Sequence, residues 1–116
     1  MDGLFGFFSM ANDYEQRAVA RHDDAHSGLI IDTCRITDSA HNYETGIVHP
    51  LYNDGKWVIV EVYDTAEEAR SGHDKWLKVM TATKLPDRLF DVGTAAVKEL
   101  AEAFGADYSG GYERQD

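Results

Sequence analysis

Two side chains have the types and the placement for acid–base chemistry: Glu61, in the run WVIVEVY, and His73, in the segment that follows, DTAEEARSGHDKW. A carboxylate beside an imidazole sets the imidazole's pKa, and such a pair in a cleft can take up and return a proton. Glu61 shares a strand face with Trp57, Ile59 and Tyr63. It therefore meets His73 only if the helix bearing His73 covers that face rather than the face of Val58, Val60 and Val62. The competing reading is packing. A histidine where a helix meets a sheet hydrogen-bonds a backbone carbonyl or a neighbouring carboxylate and does no chemistry.

Other patterns with catalytic potential are weaker. HDDAH, residues 22–26, places two histidines four apart, as a zinc-protease helix does, but Asp23 stands where that motif needs Glu. Ser27-Gly28 also ends any helix at once. Cys34 is the single cysteine, which rules out an intrachain disulfide and a Cys-rich metal knot, and its place in DTCRIT suits a small buried hydrophobe. The chain has no GxGxxG, no phosphate-binding GKS or GKT and no Gly-x-Ser-x-Gly elbow. No metal and no cofactor is expected.

The elements that would position Glu61 and His73 follow from periodicity. LIIDTCRIT alternates, with Ile30, Asp32, Cys34 and Ile36 on one face and Ile31, Thr33 and Arg35 on the other, as a first strand. YETGIVH is a second, weaker strand, loosened by Gly46. Asn53-Asp54-Gly55 is a turn, because Asn and Gly tolerate positive φ. KWVIVEVY is a third strand, apolar on both faces and so predicted to be central. Thr65-Ala66-Glu67-Glu68 is a capping box, and Ala69, His73, Trp76 and Met80 form the buried stripe of the helix it opens. Thr94 caps a second helix, AAVKELAEAF, whose apolar face is Val97, Leu100, Ala101 and Phe104. Asn12 to Ser27 reads as a short surface helix or a linker, and LPDRLFDV as a loop or short extended piece.

The predicted fold is α+β: a three-stranded antiparallel meander packed by two C-terminal helices. One domain, residues 12–105, is flanked by an apolar N-terminal arm, 1–11, and a flexible Gly/Tyr tail, 106–116. The arm carries Leu4, Phe5, Phe7 and Phe8, and exposed aromatic groups of this kind normally mark contact surfaces. Tyr108 and Tyr112 in the tail offer a second contact. Eleven basic against twenty-one acidic residues give a net charge of −10, which repels nucleic-acid phosphates and anionic lipid headgroups. The partners expected are thus other protein subunits, in a homo- or hetero-oligomer, with no direct nucleic acid and no membrane. The short apolar start lacks the basic flank of a secretory signal, which places the chain in a cytoplasm or in a particle assembled there.

Two resemblances sharpen these readings. The acidic residue before an aromatic, the short break and the helix A-x-x-G-H, across residues 57–80, look like the small dimeric α+β barrel monooxygenases. That likeness implies a cofactor-free pocket beside His73 or an acid, although the family runs βαββαβ and three strands precede the helix here. The Gly-Leu-Phe start and HPLYNDGKWVIVEVYDTAEEARSGHDKW, from His49 to Trp76, are similar to small proteins of tailed bacteriophages. This second likeness implies a minor virion component (capsid-associated, adaptor or tail) that assembles through terminal arms. The sequence therefore favours a non-enzymatic structural protein in a virion or host cytoplasm. A cofactor-independent enzyme using His73 and Glu61 is the alternative, and an acidic DNA mimic a third.

Overall fold

The computed structural model describes residues 18–36, 42–92 and 111–116. The apolar arm with Leu4, Phe5, Phe7 and Phe8, the helix expected after Thr94, and Tyr108 lie outside them. Strands β1 (Ala18–Asp24), β2 (Leu29–Arg35), β3 (Tyr43–Val48) and β4 (Val58–Tyr63) pair antiparallel in chain order. Helix α1 (Ala66–Thr81) crosses one face of this sheet, and β5 (Arg88–Phe90) pairs with β6 (Gly111–Glu113) in a second, two-stranded sheet. The class is α+β as expected. The meander has four strands rather than three, and α1 is the one helix among the described residues.

The added strand, β1, lies in the stretch read as a helix or linker. AVARHDD has a break in register between Ala18 and Ala20, and opposite the buried Thr33, Ile31 and Leu29 it places Ala20, His22 and Asp24, so the apolar signal is faint. What holds it is the turn that follows. The Asp24 carboxylate accepts from the His26 backbone N–H at 3.0 Å and from the Ser27 hydroxyl at 2.8 Å, and Gly28 closes the hairpin at φ +80°. Substituting Gly28 is doubly awkward, because an added Cβ would lie 2.9 Å from the Pro50 ring.

β4 was expected to be central, yet it is the outer strand of the sheet, and β2 and β3 occupy the middle. Its apolar character on both faces has another cause. Thr45 pairs with Glu61 while Gly46 pairs with Ile59, so Val60 is an extra residue and the alternation slips by one. Val58 and Val60 face the helix before the slip, and Glu61 and Tyr63 face it after. Beyond β5, the Val92 N–H donates to the Ile59 carbonyl at 2.7 Å and covers part of the exposed edge.

The core lies between sheet and helix: Leu29, Ile31, Ile47, Val58, Val60 and Met80, joined by Tyr52 and Leu89. Tyr52 is fully buried and its hydroxyl donates to the Pro86 carbonyl at 2.5 Å. The turn after it passes through positive φ at Asn53, Asp54 and Gly55, where the sequence placed it. The Thr65 hydroxyl accepts from the Glu68 N–H at 3.1 Å, as a cap should, and gives its own hydrogen to the Glu68 carboxylate.

The flexible tail is corrected in part. Tyr112 sits in β6 opposite Leu89 and packs half-buried against the core. The Gln115 N–H donates to the Leu51 carbonyl at 2.7 Å, and the Arg114 guanidinium to the Leu85 carbonyl at 2.7 Å. Replacing Tyr112 by Ala is expected to lower unfolding free energy by roughly 1–3 kcal/mol in denaturant titrations. An unchanged midpoint would return this residue to a free tail.

Candidate functional site

The slip at Val60 brings Glu61 and Tyr63 under α1, alongside Thr33 of β2 and Thr45 of β3. Both threonines are fully buried at 0 % exposure, and a buried hydroxyl needs partners. They find them in one continuous chain of hydrogen bonds. His73 Nδ1 lies 2.7 Å from Thr33 Oγ1, Thr33 Oγ1 lies 2.6 Å from Thr45 Oγ1, and Thr45 Oγ1 lies 3.0 Å from the Tyr63 hydroxyl. The Tyr63 hydroxyl then donates to Glu61 Oε1 at 3.1 Å. The same oxygen accepts from Trp76 Nε1 at 2.8 Å and from Lys75 Nζ at 2.5 Å.

A glycine makes room for this arrangement. The Tyr63 ring packs so closely on Gly72 that an added Cβ there would sit 2.1 Å from the phenolic oxygen. Gly within a helix costs about 1 kcal/mol relative to Ala, so its presence has a packing reason here. The Gly72-His73 pair thus delivers two contacts in succession, a ring against the backbone and an imidazole onto a hydroxyl.

Electrostatics separate the two ends. Burial is the largest influence on Glu61 and works upward, but the bonds from Lys75 and Trp76, the Lys75 charge and the Tyr63 bond together hold its carboxyl below the usual range. Burial pushes the Tyr63 phenol up to about 12, helped by the Glu61 charge and opposed by the Thr45 bond. Burial likewise depresses His73, with Asp74 and Asp32 working against it and His22 working with it. The imidazole is therefore neutral at pH 7 and the carboxylate ionised. An open cleft of 420 Å³ lies over the Glu61 end, lined among others by Tyr63, Ser71 and Lys75.

Glu61 and His73 are thus connected but not in contact. The direct acid–base contact that the sequence offers as an alternative to packing is replaced by a relay of hydroxyls, and the partner of His73 is a threonine rather than the carbonyl or carboxylate of the packing reading. Thr33 and Thr45 went unassigned, although one signal was available: Thr33 falls on the same face as Ile31, where a hydroxyl must be satisfied inside the core. HDDAH splits between β1 and its turn, with His26 exposed, and no group of three metal-ligating side chains forms among the described residues. Cys34 is half-buried on the sheet face away from α1, beside Glu44. Comparison with protein-family models, curated proteins and solved structures found no match.

Two outcomes test this geometry. Gly72→Ala, which stabilises an ordinary helix, is expected to destabilise this one by roughly 1–3 kcal/mol, because the Tyr63 ring must move. A raised melting temperature would refute the close approach. The second test is pH. His73 has a folded pKa below 6.5, so between that value and 6.5 the unfolded chain binds a proton that the folded chain refuses. Its contribution is complete above pH 6.5 and is lost as pH falls toward the folded value. Urea midpoints should therefore decline more steeply below pH 6.5 in the parent chain than in His73→Gln. Parallel curves would mean that His73 titrates normally.

Proposed function

We propose that the chain is a structural, interaction protein that assembles with other protein subunits, as a minor virion component of a tailed phage would. The observation that carries this reading is a set of large apolar side chains left exposed along the β4 edge: Trp57 at 46 %, Phe90 at 57 % and Val92 at 42 %. Trp57 and Ile59 both lie over Gly46 on the sheet face away from α1, and Val92 is bonded to Ile59. Apolar surface in this position marks a contact with a protein rather than with water. The segment from His49 to Trp76, which carries the phage likeness, contains the turn, β4, the cap and most of α1 in unbroken succession. Leu4, Phe5, Phe7 and Phe8 would add an arm to the contact, each Phe contributing about 1.5–3 kcal/mol when buried.

A second reading rests on a different observation. The hydrogen-bonded relay from His73 to Glu61, with a cleft at its carboxylate end, favours a small cofactor-independent acid–base enzyme.

Light scattering over a concentration series separates the two. The full chain should associate, while a chain starting at Ala11, and a Trp57→Ser, Phe90→Ser double variant, should lose mass toward the monomer. Identical masses for all three would discard assembly through these surfaces.

A further inference from the structure

Each hydroxyl hydrogen along the helix–sheet seam has one place to go. A carboxylate offers only lone pairs, so every bond at the Glu61 end is donated to it, by Lys75, Trp76 and Tyr63. The Tyr63 hydroxyl has one hydrogen, and it points at Glu61. Its oxygen can then only accept from Thr45. Thr45 has no hydrogen left for Thr33, so Thr33 donates across their contact. Thr33 in turn can only accept from His73, and Nδ1 must carry the hydrogen. A neutral imidazole has a single N–H, which leaves the lone pair on Nε2.

We infer that Glu61, acting through the hydroxyls of Tyr63, Thr45 and Thr33, holds His73 in its Nδ1–H form and leaves the Nε2 lone pair as the group of this seam that can accept a proton. Among the described residues no hydrogen bond to Nε2 is found, and His73 as a whole residue is buried. When Nε2 takes a proton, the donor's O–H or N–H bond breaks and its electron pair stays on the donor. The new N–H forms on the ring, and the resulting imidazolium keeps its Nδ1–H bond to Thr33. No hydroxyl in the relay has to turn. Burial and His22 on β1 oppose the new charge, whereas Asp74 on α1 and Asp32 on β2 favour it. Glu61 on β4, paired with Lys75, anchors the direction of the relay. It is a positioning residue, because it acts on Nε2 only through other groups.

The inference deepens the acid–base reading and rests on it for any turnover, but the tautomer is measurable without a substrate. Long-range ¹H–¹⁵N spectra of the full chain, labelled at histidine, should show His73 protonated at Nδ1 and bare at Nε2 at neutral pH. In Glu61→Gln the amide can donate to Tyr63, the direction is no longer imposed, and the Nε2–H form should gain population. Tyr63→Phe, which leaves Glu61 in place, should release the tautomer in the same way and serves if Glu61→Gln does not fold. An Nε2–H form in the parent, or a tautomer indifferent to both variants, overturns the relay whatever the chain's activity.

Discussion

The single extra residue at Val60 is the constraint on which the seam depends. In an unbroken strand, side chains alternate strictly, and Val58 and Val60 could not share a face with Glu61 and Tyr63. The bulge permits both, so one helix covers an apolar patch at one end of β4 and a polar one at the other. The same slip accounts for the composition of WVIVEVY. An edge strand reads as central because its apolar residues serve the core on one side of the bulge, while Ile59 and Trp57 lie over Gly46 on the opposite face. Bulges re-aim side chains, and here the side chain re-aimed is a carboxylate.

A buried polar chain stabilises a fold only if each member is satisfied, since an orphaned hydroxyl costs about 1–3 kcal/mol. Thr33 and Thr45 are fully buried, and each has a partner on both sides. The arrangement therefore specifies registry as well as stability. Sliding β3 by one residue against β2 would send Thr45 to the outer face and strand Thr33, while the aliphatic pair Ile31 and Ile47 would lose each other too. Gly72 is part of the same device, for the relay closes only where the helix backbone can approach the Tyr63 ring.

Legibility in the sequence followed the strength of the local signal. The capping box, the α1 stripe and the Asn53-Asp54-Gly55 turn were all readable, since each is written in consecutive residues whose chemistry acts within a turn. β1 was not, because an edge strand whose inner face holds Ala20 and His22 carries little hydrophobic period. The pairing of β5 with β6 joins residues far apart in the chain, and no local pattern in ADYSGGYERQD announces Leu89 as its neighbour. The sequence offered His73 and Glu61 as a conditional pair, in direct contact if the helix covered the Glu61 face, whereas in the structure they are joined through two threonines and a tyrosine on three strands. The bulge that brings them together exists only as a register difference between two strands, which one strand's sequence does not record.

Charge and apolar exposure pull in opposite directions on the face away from α1. Glu44 is pushed above the usual carboxylate range, first by burial and then by Asp32 and Asp91, so negative groups crowd a surface that also exposes Trp57 and Val92. A second copy approaching with a net charge of −10 meets repulsion at long range, and screening confines that repulsion to about 8 Å at physiological ionic strength. Apolar contact acts only at closer range and is indifferent to salt to first order. Association through this edge would therefore be governed by a balance of the two, weak in dilute buffer and stronger as salt rises. A partner with basic residues around an apolar centre would escape the repulsion altogether. On the proposed reading, the net negative charge would thus also select what can reach the apolar edge, a selectivity that needs no additional binding residue.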